Sequence, residues 1–247
     1  MRYLCMHKAS ANDEAGILPP QELIAGMGKL IGETAASGRF LAGEGLRPSS
    51  TRYRLVFQGE RCDVRQGPFR GDNDVPERML IVKVRTVDEA IDWAQRFGRA
   101  AGAQRLELGP LTEVWDLGMA PKPAGDVPLR FMILQQASAA AEAGKPAPAT
   151  TQQAVRALLA EMQANGVLVF TEALLPSSRG MRLNYRDGKV ARRDGPFTES
   201  KELIGGFCMV QMHSLDEIAA WTAQFAKVIG GTCEIDVRVV AEPEAVR

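Results

Sequence analysis

The sequence predicts an α+β protein built from two similar units that pack sheet against sheet. Residues 38–69 align without a gap over residues 166–197, and 12 of these 32 positions are identical. About two would match by chance at average composition. Both stretches lie within the same predicted order of strands and helices, and one such unit leaves one face of its sheet bare. The chain is therefore predicted to be a tandem duplication whose copies cover each other.

The boundaries of the two copies follow from the alignment and from composition. The copies are predicted at residues 1–115 and 129–247, and a linker at 116–128 joins them. The linker reads "DLGMAPKPAGDVP", and such a Pro- and Gly-rich composition is typical of an exposed connection.

Each copy opens with a short apolar strand, "RYLCMH" in the first and "RFMILQ" in the second. An amphipathic helix is predicted next, in "PPQELIAGMGKLIGETAASG" and "TTQQAVRALLAEMQANG", because apolar residues recur at steps of three and four and glycine follows. "GRFLAGEGL" and "GVLVFTEAL" are then predicted to be second strands.

The rest of each copy is predicted to be a hairpin, a strand, a helix and a last strand. Asp187-Gly188 lies between two extended stretches, which indicates a two-residue hairpin turn. The apolar strands 79–85 and 207–213 lead to helices that begin after Thr86 and Ser214, with Asp-Glu placed at the positive end of each helix dipole. "RLELGPL" and "CEIDVRVV" are the final strands.

This order of elements is the split βαβ pattern of ferredoxin-like folds. Two ferredoxin-like units that bury each other's bare sheet face would form an intramolecular, pseudo-dimeric α/β barrel. Packing through the helices is the alternative arrangement.

Composition excludes several classes of protein. Thirty basic residues balance thirty acidic ones, so direct binding of nucleic acid is not expected. No apolar stretch is long enough for a signal peptide or a membrane span, and a cytoplasmic protein without membrane contact is expected. Four scattered cysteines and two histidines predict no metal site, and no cofactor motif is present.

The densest local motif is "DGPFTESKELIGGF" at 194–207, followed by "SLDEIAAW" at 214–221 and "CEIDVRVV" at 233–240. These residues resemble the YCII-related proteins and, within them, the branch named for its Asp-Gly-Pro-Phe motif. The resemblance covers nearly all of the second copy and, more loosely, the first, through "GRFLAGEGLRPSS", "QGPF" and "TVDEAIDW". It implies a dimeric α/β barrel of ferredoxin-like units, usually made by two chains and here fused into one.

The resemblance implies a bacterial protein whose activity is undefined, since most members have no established activity. It allows three hypotheses. The first is a small-molecule-binding or accessory module. A sigma-factor system is its implied partner, because some Asp-Gly-Pro-Phe proteins are encoded beside or fused to alternative sigma factors. The second is an enzyme performing lyase- or dehydrohalogenase-like acid/base chemistry on a small organic acid, since a distant branch includes such enzymes with a histidine–aspartate pair. The third is a structural protein-interaction domain.

The charged positions of the motif are the candidate catalytic residues. The first copy keeps Gly-Pro-Phe, which predicts a structural role for the tripeptide. It loses the charges, so chemistry that needs them is left with one site per chain. A solvated ion cluster is the alternative. The candidates are Asp194, Glu199, Lys201 and Glu202, and the first copy has Gln66, Gly71, Asn73 and Asp74 in their places.

His7 and Asp72 form a weaker candidate pair. Within one ferredoxin-like copy the first and third core strands are neighbours. The intact motif loop is therefore expected near Gln135 and Gln136, and His7 is expected beside the degenerate loop that carries Asp72. The pair would resemble the histidine–aspartate pair of the distant enzymes by analogy. Polar packing of a lone histidine is the alternative.

Strand alternation predicts the lining of the barrel. Tyr3, Cys5 and His7 share one strand face, as do alternate residues of 207–213 beginning with Phe207. If both faces point between the sheets, the lining is mixed in polarity and suits a small organic ligand. A plain packed core is the alternative.

Overall fold

The computed structural model describes residues 1–71, 75–197 and 203–242. Within these ranges the chain is a mixed α+β protein with two antiparallel six-stranded sheets and six helices. The first half contains β1 (Arg2–Lys8), α1 (Ala11–Glu14), α2 (Gln21–Ala36), β2 (Phe40–Gly45), β3 (Tyr53–Gln58), β4 (Arg61–Gln66), β5 (Pro76–Val84), α3 (Val87–Ala101) and β6 (Arg105–Pro110). The second half contains β7 (Leu129–Gln136), α4 (Ala139–Glu142), α5 (Ala149–Ala164), β8 (Leu168–Ala173), β9 (Met181–Arg186), β10 (Lys189–Asp194), β11 (Ile204–Gln211), α6 (Leu215–Val228) and β12 (Cys233–Val239).

Local sequence signals account for several turns and helix ends. Asp187 and Gly188 have φ angles of 50° and 72°, so β9 and β10 are joined by the predicted two-residue turn. The side chains of Thr86 and Ser214 each accept a hydrogen bond from the backbone N–H three residues later, and they cap α3 and α6. Both helix starts are confirmed. The short helices α1 and α4 were not predicted.

Each sheet takes strands from both halves of the chain. Sheet I has the order β10-β9-β12-β1-β11-β2, and sheet II has the order β4-β3-β6-β7-β5-β8. β1 therefore lies between β12 and β11, and β7 lies between β6 and β5. The expectation that the first and third strands of one copy are neighbours is wrong. The opening strands of the two halves have nearly the same apolar pattern, so either one suits either central position.

Three apolar clusters hold the layers together. One lies between sheet I and the helices α2 and α6, and a second lies between sheet II and the helices α3 and α5. The third contains residues of both sheets, among them Met6 and Met79. Across this third cluster Phe207 of sheet I stacks on Phe170 of sheet II with ring centroids 6.2 Å apart. The sheets thus pack face to face, although the described strands form no closed barrel.

The space between the sheets is filled by a continuous apolar cluster. Leu4 and Met6 lie in this cluster, and Phe207 lies in it too, as expected. Tyr3 and Cys5 lie on the opposite side of β1, under α2 and α6, so the condition that their face points between the sheets is not met. Strand alternation tells which residues share a face, but only the packing of the helices decides which face they cover. This arrangement favours the packed-core alternative over a ligand inside a barrel.

Candidate functional site

The Pro-Ser-Ser and Gly-Pro-Phe motifs of the second half meet at one serine. The Ser177 hydroxyl donates to the carboxylate of Glu142, which also accepts from the Ser177 backbone N–H at 3.1 Å. The same hydroxyl accepts from the backbone N–H of Phe197 at 3.3 Å. Both Ser177 and Phe197 are buried. These three residues, the Glu–Ser–Phe unit, join α4 to the motif loop.

The first half builds the same unit from Glu14, Ser49 and Phe69. The Ser49 hydroxyl donates to Glu14 and accepts from the Phe69 backbone N–H at 3.1 Å. Both halves contain the unit, so a structural role explains why Gly-Pro-Phe is present in each of them.

Close backbone approach explains the glycine of the tripeptide. A Cβ atom on Gly195 would lie 1.9 Å from the carbonyl oxygen of Ser177, and one on Gly67 would lie 2.0 Å from that of Ser49. The Gly-Pro peptide bond is cis in both halves. No side chain larger than hydrogen fits at either position without movement of the backbone.

A buried ion cluster ties the motif loop to the end of β1. The guanidinium of Arg182 lies 4.7 Å from the centroid of the Phe197 ring and donates to Asp236 at 2.6 Å. The second carboxylate oxygen of Asp236 accepts from the Lys8 ammonium at 2.7 Å. Burial opposes ionisation of Asp236, but Lys8 and Arg182 together hold its pKa below the usual value.

Among the four charged candidates of the motif, Asp194 alone falls within the described residues. Its exposed carboxylate accepts from Arg192 at 2.8 Å, and Arg192 also donates to Asp216 at 2.8 Å. Asp194 is thus part of a solvent-exposed ion pair, while the cluster of all four motif residues stays a prediction. The other motif candidates and the acid predicted to pair with His7 lie outside the described residues, and their roles stay predictions: Glu199, Lys201, Glu202 and Asp72.

His7 lies beside the strand that follows the intact motif. It pairs with Gly206 of β11, and the next residue, Lys8, pairs with Ile204. The end of the degenerate loop lies elsewhere, since Val75 accepts a backbone hydrogen bond from Ala137 after β7. The predicted placement of His7 beside the degenerate loop is therefore wrong. The exchange of β1 and β7 between the two sheets is the physical cause.

Two glycines make room for the His7 ring. A Cβ atom on Gly205 would lie 3.0 Å from Nε2, and one on Gly206 would lie 2.7 Å from Cε1. The residue as a whole is partly exposed, and its ring packs against α6 with its centroid 5.5 Å from that of Phe225. Removal from water lowers the pKa of His7 to about 4; Asp13 opposes this shift, while Lys8 and Arg52 add to it. The imidazole is therefore neutral at pH 7.

The equivalent place in the other half is closed. Gln135 stands where the first half has His7, and its amide donates to Glu77. Glu77 also accepts from the backbone N–H of Ser138 at 3.0 Å and occupies the position of Gly205. Burial raises the pKa of Glu77. The polar group at the end of β7 is thus satisfied, whereas neither ring nitrogen of His7 has a hydrogen-bond partner among the residues that the structure describes.

Residues 129–240 match the family model of the YCII-related domain. This match supports the resemblance to the YCII-related proteins over the second half of the chain. No curated protein and no solved structure matches the chain. The matched residues include the Asp-Gly-Pro-Phe motif and β11. They do not include His7, which the strand exchange brings in from the first half.

Sequence reasoning missed the two glutamates of the Glu–Ser–Phe units and the buried arginines beside them. A signal for the glutamates was present, because "ASANDEAG" at 9–16 lies over "ASAAAEAG" at 137–144 with Glu14 over Glu142. No comparable signal marked Arg52 or Arg238. Each has a glycine or a proline opposite it when the two halves are aligned at a constant offset of 128.

The described part of the chain places no group of three or more His, Cys, Asp or Glu residues where they could hold a metal ion. Within the same ranges, none of the helices has the length and apolar character needed to cross a membrane. The gap between sheet I and α6 is too narrow for a water molecule; its lining residues are Cys5, His7, Cys208, Trp221, Phe225 and Ile235. This gap therefore does not admit a ligand to the His7 ring.

Proposed function

We propose that the protein binds a small organic molecule at the His7 end of sheet I, where the neutral imidazole accepts a hydrogen bond or a proton from it. One observation carries the proposal. The two halves place a polar side chain at the same strand end, and the Gln135 amide donates to Glu77, whereas the His7 ring packs on Gly205 and Gly206 and has no hydrogen-bond partner among the residues that the structure describes. A polar group with no partner among the described residues, on a residue that is partly exposed, can bind a ligand.

The chemistry of a neutral imidazole limits the class of ligand that can bind. Such a ring accepts from a hydroxyl, an enol or an amide N–H. The nearby cations are committed to protein carboxylates, since Arg52 contacts Glu107 and Lys8 contacts Asp236. The ligand is thus expected to be a small organic molecule with a hydrogen-bond donor. A small organic acid with a hydroxyl group fits this description.

A second candidate function is acid/base catalysis on a small organic acid. It is favoured by the charge of Asp13, which lies close enough to His7 to raise its pKa against the effect of burial. Asp13 is proposed here for the role that Asp72 was expected to have in a histidine–aspartate pair. Proton transfer would run between the substrate and a ring nitrogen of His7. The charged motif residues around Glu199 remain proposed as additional acid/base groups.

Further proposals rest on the family resemblance, on composition and on the alignment of the two halves. They are membership of the Asp-Gly-Pro-Phe branch, a bacterial cytoplasmic location, association with a sigma-factor system, and a tandem duplication of ferredoxin-like units that approach a pseudo-dimeric barrel. The repeated element order and the repeated Glu–Ser–Phe unit support the duplication. A domain division at residues 1–115, 116–128 and 129–247 belongs to the same proposal. A structural role in binding another protein is the remaining alternative.

Ligand-detected NMR tests the proposed site with a panel of small hydroxy and enolic acids. We expect binders of the unmodified protein to lose their signal changes in His7→Gln, which copies the side chain of the other half. His213→Gln is the matched control, because it makes the same change at the other histidine, which is exposed. Equal binding to all three proteins would refute the site. Turnover of a bound acid that depends on His7 and Asp13 would favour the enzyme.

A further inference from the structure

We infer that Arg52 is a positioning residue of the His7 site: its buried guanidinium holds the start of β11 against the short helix that carries Asp13. The start of β11 contains Gly205 and Gly206, over which the His7 ring lies. The consequence for a ligand rests on the proposed function, whereas the effect on His7 itself does not.

The contacts of Arg52 join three parts of the protein. Its side chain is 1% exposed. Nη1 donates to the Ile204 carbonyl oxygen at 2.8 Å and to Glu107 at 3.1 Å, and Nε donates to the Arg47 carbonyl oxygen at 2.7 Å. Nη2 lies 3.8 Å from the carboxylate of Glu14, the residue after Asp13. One guanidinium thus links sheet II, α1 and the residue before the glycine pair.

The second half has a buried guanidinium at the corresponding place, but the opposite strand supplies it. Arg52 and Gly180 both follow a 3-10 turn that begins in the Pro-Ser-Ser motif. On the neighbouring strand, Gly109 pairs with Met132 of β7. Arg238 pairs with Leu4 of β1, which is the residue equivalent to Met132. The first half therefore has arginine before β3 and glycine on β6. The second half has glycine before β9 and arginine on β12.

Steric constraints link the position of the arginine to the position of the glycine in each half. A Cβ atom on Gly180 would lie 2.2 Å from the Val237 carbonyl oxygen, so no side chain fits there. A Cβ atom on Gly109 would lie 2.8 Å from a methyl group of Leu46 and 3.3 Å from Arg52 Cδ. Side-chain ends can move, and removal of Arg52 frees part of this space.

Arg238 reproduces only one part of the role of Arg52. Its Nη2 donates to the Leu175 carbonyl oxygen at 2.7 Å and to Glu142 at 3.3 Å, as Arg52 contacts Arg47 and Glu14. These contacts stabilise the Glu–Ser–Phe unit of the second half, and they do not involve β11. Arg238 is therefore a matched control for the loss of a buried guanidinium away from His7.

The test compares ligand-free variants by NMR, which reads the His7 ring titration and the amide signals of Gly205 and Gly206. Arg52→Met should move both amide signals and raise the pKa of His7, because a nearby cation is lost. Arg238→Met should leave all three unchanged. A folded Arg52→Met protein whose His7 and glycine signals match those of the unmodified protein would overturn the inference.

The double variant R52G/G109R keeps the inference testable if Arg52→Met does not fold. It copies the arrangement of the second half, so the guanidinium should again reach Glu14 but not the Ile204 carbonyl oxygen. We expect it to be more stable to urea than R52G alone while its Gly205 and Gly206 signals stay displaced. Unmodified signals in this variant would show that Arg52 only stabilises the fold. Loss of ligand binding in His7→Gln is measured separately, so failure of the proposed function is distinguishable.

Discussion

Replacing Ser177 by alanine removes the centre of a Glu–Ser–Phe unit. The hydroxyl donates to Glu142 and accepts from the Phe197 backbone N–H at 3.3 Å. The serine is 0% exposed, so water does not replace the lost partners without movement of the surrounding chain. We therefore expect the variant to fold with a clear loss of stability.

The magnitude follows from the two hydrogen bonds. A hydrogen bond to a charged group contributes about 1.5–3 kcal/mol, and a buried N–H left without an acceptor costs about 1–3 kcal/mol. Both values belong at the low end. Glu142 keeps its bonds to the Ser177 backbone N–H, and the Phe197 bond is long at 3.3 Å. The expected loss in the free energy of unfolding is about 3 kcal/mol, which corresponds to about 6–12 °C in Tm.

Urea unfolding followed by tryptophan fluorescence measures this loss. Ser178→Ala is the control, because it makes the same chemical change at the next residue of the motif, which is exposed. It should change the free energy of unfolding by less than about 0.5 kcal/mol. If Ser177→Ala unfolds at the same urea concentration as Ser178→Ala, the hydroxyl does not join α4 to the motif loop as described.

Three further predictions use the same unfolding assay. Gly195→Ala should cost more than about 3 kcal/mol, since its Cβ atom would lie 1.9 Å from a carbonyl oxygen; stability equal to that of Gly28→Ala, where a Cβ atom meets nothing within 4 Å, would contradict this. As the pH is lowered from 6.5 to 4, the unfolded chain protonates His7 before the folded protein does. The free energy of unfolding should therefore decrease over this range by at most about 3 kcal/mol. His7→Gln should abolish that part of the decrease. Identical pH profiles would refute the burial of a neutral imidazole. Asp194→Ala should change stability by less than about 0.5 kcal/mol because its ion pair is exposed, and a larger loss would give that carboxylate a structural role.

The sequence alone determined features that depend on neighbouring residues or on repetition. Asp187-Gly188 specifies its turn through backbone conformation, and Thr86 specifies its helix start through one side-chain hydrogen bond. Gly-Pro-Phe occurs in both halves, which indicated a structural role, and the contacts of Gly195 with Ser177 give the reason. The family match over residues 129–240 agrees with the motif that suggested it.

Only the tertiary structure decided which half supplies which strand. β1 and β7 have nearly the same apolar pattern and length, so local sequence does not distinguish their places in the two sheets. Pairing of β1 with β11 brings His7 to Gly206 and moves it away from the degenerate loop. The position of a buried guanidinium was likewise undetermined, because Arg52 reaches its place from one strand and Arg238 from the opposite one. Long side chains from different strands can fill the same space, and the sequence does not show which residues share it.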